Sequence, residues 1–221
     1  MKKVFVFLLI YALIGCSDNN SSKDLTVYNP DLGILENLNN GVSNADLVSN
    51  VSLDALFGLE YGGGFIFHYS QSDGSLLVAT DFSEIGNKRW GDIFDLDTSS
   101  EIDSGMENTE LIVQGNLNDN SPANGGLEEF GSDDYIFKIV SDLQYNGFND
   151  WFVPSSGSME AIYSNVHSVG MGNFDETLTY WSSTKEGYFP HVMSFNVDFG
   201  GQSFNGLCTD VNGILIARKV Y

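Results

Sequence analysis

The chain has 221 residues, with 30 acidic and 9 basic side chains and a formal net charge of −21. Its 42% hydrophobic and 13% aromatic content is sufficient for a folded domain with a substantial core. Such a charge repels phosphate groups and anionic lipid headgroups, so a nucleic-acid partner is disfavoured. Cationic partners, divalent cations and neutral glycans are compatible with it, and acidity is also typical of an exported protein kept soluble by its charge.

The N-terminus is organised like a bacterial export signal. Lys2 and Lys3 precede an apolar run over residues 4–13 that is too short to span a bilayer as a helix. The run ends in Leu-Ile-Gly-Cys16, which resembles the lipobox of bacterial lipoproteins, where the cysteine is lipidated. We therefore expect residues 1–15 to be a signal peptide, and the alternative is an ordinary signal peptide followed by a free cysteine. A lipidated Cys16 predicts a protein anchored at the cell envelope, on the outer membrane or cell surface, without crossing the membrane.

The chain has two cysteines, Cys16 and Cys208. If Cys16 carries lipid, no partner is left for a disulfide bond. The count therefore argues against a disulfide framework and against a cysteine-rich zinc site. We expect Cys208 to be a buried structural thiol.

Two segments precede the main domain. Residues 16–33 begin with a polar stretch that has nothing to bury, so we expect a flexible tether. Residues 34–60 contain a short repeat in which Ser43 and Ser52 are each followed by leucine four positions later. This pattern predicts two short helical turns that form a spacer or dock on the domain.

From residue 61 the pattern changes to β-structure. Strand-like runs over residues 65–69 and 76–80 flank a turn signal and predict a β-hairpin. Residues 81–126 are acidic and are predicted to be rich in loops. Asp95, Asp97 and Asp103 are candidate calcium ligands there, but the loop lacks the EF-hand pattern. Solvated loop acids are the alternative, so we expect no cofactor, with a structural calcium ion as the one candidate.

The second half of the chain combines helices and strands. Apolar spacing predicts an amphipathic helix over residues 132–143 and a second helix over 159–166, capped by Ser155 or Ser156. Strand patterns cover residues 151–153, 180–184, 192–199 and 214–220. We therefore predict an α+β domain over residues 61–221, with two helices packed on short antiparallel sheets and with its two ends close together.

Several motifs in this region resemble one known family. They are the glycine-rich start of the hairpin at residues 62–67, Trp90-Gly91, GFNDWFVPS at 147–155, YWSST at 180–184 and Ala217-Arg218. Together they resemble the Lcl C-terminal-type domain of bacterial surface proteins, a domain of unknown function with a C-type-lectin-like fold. The resemblance implies an exported adhesion or ligand-binding module. It also implies structural roles for Trp90, Asp150, Trp151, Pro154, Tyr180, Trp181, Ser182, Ser183 and Arg218.

In such folds the ligand tends to be bound between the Trp-Ser-Ser strand and the C-terminus. The candidates in that region are Lys185, Tyr188, Phe189, His191, Gln202 and Asn205, a mixture of aromatic and amide groups suited to a glycan or protein ligand. The alternatives are an envelope enzyme acting on glycan or protein, and a purely structural lipoprotein. Catalytic residues are not expected, because the three histidines lack metal-ligand spacing and the serine cluster at 155–158 is better explained as a helix cap.

Overall fold

The computed structural model describes residues 26–91, 96–118, 133–199 and 201–221, and the protein has a mixed α+β fold with antiparallel sheets. The main sheet has the strand order β1-β2-β3-β9, formed by β1 (Glu60–Tyr61), β2 (Gly64–Tyr69), β3 (Leu76–Asp81) and β9 (Leu215–Val220). A three-stranded sheet contains β5 (Thr179–Glu186), β6 (Phe189–Ser194) and β7 (Ser203–Asn205). The strands β4 (Lys88–Arg89) and β8 (Val211–Asn212) form a small pair.

The helices are α1 (Ile34–Asn39), α2 (Asn44–Asn50), α3 (Gly105–Asn118), α4 (Ile136–Ser141) and α5 (Ser156–Asn165). Ser155 caps α5, since its hydroxyl accepts a hydrogen bond from the Ser158 amide at 3.2 Å. Ser43 caps α2 in the same way through the Asp46 amide. The serine caps predicted at Ser43 and Ser155 are therefore confirmed, whereas Ser52 makes no side-chain cap hydrogen bond. No helix in the described ranges is both long enough and apolar enough to cross a bilayer.

The main sheet buries both of its faces, because successive strand residues point to opposite sides. Ile66, Leu76 and Val78 pack against the N-terminal helices, while Phe67, Leu77 and Ala79 pack against α5 and the β5-β6 hairpin. A third cluster contains the three tryptophans. The predicted hairpin and the buried terminal strand β9 are both confirmed, with β3 and β9 paired from Leu76–Val220 to Asp81–Leu215.

The N-terminal segment belongs to the folded unit. The Tyr28 amide donates to the Asp46 carboxylate at 2.8 Å, and Thr26 forms a bridge with Val42. The Asn44 side chain donates to the carbonyls of Gly74 and Val220 at 3.1 and 2.7 Å. Residues 26–33 are therefore not a flexible tether, and residues 34–60 dock on the domain. The predicted signal peptide, Cys16 and the tether before residue 26 lie outside the described residues.

The 14-residue helix α3 occupies a region that the sequence predicted to be loop. Its inner face is largely polar, because Asn108, Thr109 and Asn116 are all buried. The Asn108 amide donates to the Ser99 carbonyl at 2.7 Å and to the Ser183 hydroxyl at 3.2 Å. A helix that buries amides in this way lacks the apolar stripe by which amphipathic helices are recognised. The loop prediction was therefore wrong over residues 105–118.

Two strand predictions need correction. The strand predicted over residues 192–199 ends at Ser194, because the Asn196 side chain accepts a hydrogen bond from the Asp198 amide at 2.9 Å and turns the chain. The strand predicted over residues 151–153 is reduced to one bridge, in which Phe152 and Ala217 exchange two hydrogen bonds of 2.9 Å. Pro154, which lacks an amide hydrogen, follows directly.

Candidate ligand-binding face

The candidate face lies on the β5-β6-β7 sheet. β6 pairs with β7 through His191–Asn205 and Met193–Ser203, so these paired side chains share one face of the sheet. Phe189 is on the same face as His191 because side chains alternate along a strand. Met193 is buried against the core on this face, whereas Phe189 and Asn205 are exposed. Exposure on this face therefore increases from Met193, in the core, toward the β5-β6 turn.

Exposed aromatic side chains lie at this end of the sheet. Tyr188, in the turn between β5 and β6, is 61% exposed, and Phe189 is 41% exposed. His191 is half-buried and Asn205 is exposed beside it. We call Tyr188, Phe189, His191 and Asn205 the aromatic–amide face. The sequence predicted all four as ligand-binding candidates; the structure places Phe189, His191 and Asn205 on one face, with Tyr188 exposed in the adjoining turn.

Two further candidates do not join this face. Gln202 is exposed, but the hydrogen bond from the Ser194 amide to its carbonyl (2.9 Å) continues the β6-β7 ladder. By alternation its side chain lies on the opposite side of the sheet, with Phe204. Phe204 pairs with the buried Val192 and is itself 46% exposed.

Lys185 was predicted to bind ligand, and this prediction was wrong. The residue is 1% exposed, and its ammonium donates to the Leu96 carbonyl at 3.0 Å and to the Gly187 carbonyl. A buried ammonium needs such acceptors, because desolvation without them is costly. Lys185 therefore stabilises the β5-β6 turn through these hydrogen bonds, and its ammonium group is not exposed at the surface.

Two of the three candidate calcium ligands, Asp97 and Asp103, have protein partners. The Asp97 carboxylate accepts from the Gly187 amide at 2.7 Å, and the Asp103 carboxylate accepts from the Ser70 hydroxyl at 2.8 Å. Asp95 lies outside the described residues. In the rest of the chain, as far as the structure describes it, no group of three or more histidine, cysteine, aspartate or glutamate side chains is placed to hold a metal ion.

Most of the motif residues are buried, whereas Asp150 is exposed. The indole nitrogens of Trp90, Trp151 and Trp181 donate to the carbonyls of Ser182, Tyr145 and Lys88 at 2.9, 3.1 and 2.8 Å. The Tyr180 hydroxyl donates to Asp81 at 2.6 Å, and burial together with this carboxylate raises the pKa of Tyr180. The remaining motif contacts join Ser182 to the His191 carbonyl, Ser183 to the Pro154 carbonyl and Arg218 to Asp150.

A cavity of about 600 Å³, which the sequence analysis did not predict, lies away from this face. It is lined by α1, the β1-β2 turn, the loop at residues 148–150 and the end of β9. Glu60 and Asp150 both line it, but both oxygens of Asp150 accept hydrogen bonds from Arg218.

No family model and no curated protein sequence matches the chain. The resemblance to the Lcl C-terminal-type domain therefore stays a prediction that rests on the motif residues.

Proposed function

We propose that this protein is an exported, lipid-anchored adhesion module of C-type-lectin-like fold that binds a glycan at the cell envelope. The observation that carries the proposal is the aromatic–amide face, where exposed rings adjoin an imidazole and an amide. Aromatic rings stack on the apolar faces of sugars, and imidazole and amide groups hydrogen-bond to hydroxyls. The lipobox-like sequence ending at Cys16 supports the anchor and the location.

The electrostatics of the chain support a neutral ligand on this face. The net charge of −21 repels anionic partners. The four residues of the aromatic–amide face include no carboxylate and no permanently charged cation, so recognition there depends on stacking and on neutral hydrogen bonds. A neutral glycan meets both requirements.

A protein partner is the second candidate, and one observation favours it. β7 is the outer strand of its sheet within the described residues, and Ser203, Phe204 and Asn205 are all exposed. An exposed strand edge can pair with an extended segment of another protein.

A glycan array and a whole-cell binding assay test the proposal. The full chain in detergent micelles is compared with the double variant Tyr188→Ala, His191→Ala, in calcium and in chelator. Phe204→Ala is the matched control, since it removes an exposed ring from the opposite side of the same sheet.

We expect selective glycan binding that the double variant loses and Phe204→Ala keeps. Cell binding without any array signal, lost in Phe204→Ala, would favour the protein partner. A folded chain that binds neither glycans nor cells would refute the proposed function and favour a structural envelope role.

A further inference from the structure

The cavity at the end of β9 is built by segments that are distant in sequence. Leu35 and Asn39 of α1 form one side, and Tyr61 and Phe148 form another. Its volume of about 600 Å³ lies in the range typical of small-molecule sites. None of its lining residues belongs to the aromatic–amide face.

The wall of the cavity is held rigidly around Arg218, a buried residue that is 8% exposed. Its guanidinium donates to both Asp150 oxygens at 2.7 and 2.9 Å and to the Gly62 carbonyl at 2.9 Å. The Phe148 ring lies 3.7 Å from the guanidinium carbon. The paired hydrogen bonds to Asp150 and the stacked Phe148 ring hold the Arg218 side chain in one orientation without a ligand.

Two glycines make this arrangement possible. A Cβ at Gly62 would stand 2.6 Å from a methyl group of Val220, and a Cβ at Gly63 would stand 3.0 Å from the Phe148 ring. Both residues also have positive φ angles, of 60° and 91°, which residues other than glycine rarely adopt. The β1-β2 turn can therefore approach Arg218 and Phe148 closely only with glycine at these positions.

Most of the charges around the cavity are paired. Its ionisable acidic and basic side chains are Glu60, Asp150, Arg218 and Lys219. Arg218 is paired with Asp150, and the Lys219 ammonium lies 2.7 Å from the Asp73 carboxylate. The exposed Glu60 carboxylate and the field of the acidic chain therefore repel an anionic ligand. A neutral polyhydroxylated ligand avoids this repulsion and can donate hydrogen bonds to Glu60.

The lining also offers the groups that a polyhydroxylated molecule needs. Tyr61, Phe148 and Tyr221 supply aromatic surface. The exposed Glu60 carboxylate accepts hydrogen bonds, and the Asn39 amide can donate or accept. Arg218 also lines the cavity, and three of the five N–H groups of its guanidinium donate to Asp150 and Gly62.

We infer that this cavity is a second ligand site, which binds a neutral mono- or disaccharide independently of the aromatic–amide face. Arg218 and Asn39 donate to sugar oxygens, Glu60 accepts from a hydroxyl, and the aromatic side chains contact the sugar ring. The protein would then carry two glycan-binding sites with separate residues, which increases its avidity for a branched or repeated glycan.

Saturation-transfer NMR of the full chain in detergent micelles tests this inference. The probes are glucose, galactose, mannose, N-acetylglucosamine, lactose and cellobiose, with spermidine and glucuronate as charged comparisons. The variants are Glu60→Gln, which keeps the shape of the side chain, and Tyr221→Ala, which removes a ring at the exposed rim of the cavity. Glu36→Gln is the matched control, because it lies exposed on α1 outside the cavity.

We expect saturable binding of at least one neutral sugar, weakened about tenfold by Glu60→Gln and about threefold by Tyr221→Ala. Glu36→Gln and the double variant Tyr188→Ala, His191→Ala should retain this binding, which separates the cavity from the proposed function. Three results would each overturn the inference: no sugar binding by the folded chain, sugar binding unaffected by both cavity variants, or stronger binding of spermidine or glucuronate than of every neutral sugar.

Discussion

Truncation of Leu47 tests whether the N-terminal helices are part of the cooperative fold. Leu47 is fully buried on α2, in the cluster formed with Leu56, Ile66 and Val78 of the helical segment and main sheet. A fully buried leucine truncated to alanine costs about 3 kcal/mol, through lost burial and the cavity left behind. For a unit of this size the loss lowers Tm by about 6–12 °C.

The assay is thermal unfolding followed by tryptophan fluorescence. All three tryptophans lie in a different cluster from Leu47, so they report the loss only if the segment and the domain unfold together. Leu53→Ala is the control, since Leu53 belongs to the same segment but is 38% exposed, and it should cost less than about 1 kcal/mol. An unchanged tryptophan transition in Leu47→Ala, with a separate early loss of helical circular dichroism, would refute the reasoning.

Two further predictions concern a helix cap and an ion pair. Ser155→Ala removes both the cap of α5 and the 2.7 Å hydrogen bond to the Glu101 carbonyl. It should therefore lower the free energy of unfolding, measured with denaturant, by about 1–2 kcal/mol. An equal loss of stability in Ser156→Ala would contradict the cap assignment. Burial alone would raise the pKa of Asp73, but Lys219 and the Ser75 donors outweigh it and hold that pKa below its usual range. The stability that Asp73 contributes is therefore complete above the ordinary aspartate pKa of about 3.9 and is lost as pH falls through the lower folded pKa. Accordingly, the Tm difference between the wild-type chain and Asp73→Asn should shrink below about pH 4, and a constant difference down to pH 2 would exclude this linkage.

Local signals in the sequence predicted several elements of the fold. The caps of α2 and α5, the β2-β3 hairpin and strand β9 follow from short-range patterns. Helix α3 was missed because its buried face carries amides, whose partners on Ser99 and Ser183 are visible only in the folded chain.

The candidate site was likewise predicted only in part from the sequence. Tyr188, Phe189, His191 and Asn205 could be proposed because the resemblance pointed to the region between the Trp-Ser-Ser strand and the C-terminus, and this region carries aromatic and amide side chains. The burial of Lys185 depends on the Leu96 carbonyl, which is contributed by a distant loop. The cavity could not be foreseen, because it needs α1, the β1-β2 turn, Phe148 and β9 to come together.

The position of β9 has a consequence for the rate of folding. This strand is the last in the sequence, yet it pairs along its whole length with β3 and bridges to Phe152. Pairing of Leu76 with Val220 closes a loop that contains most of the domain, and contacts of such high sequence separation slow folding. The main sheet cannot be completed until residues 215–220 have been synthesised. Loss of β9 should therefore leave β3 without the partner on its outer edge, and the main sheet would remain incomplete.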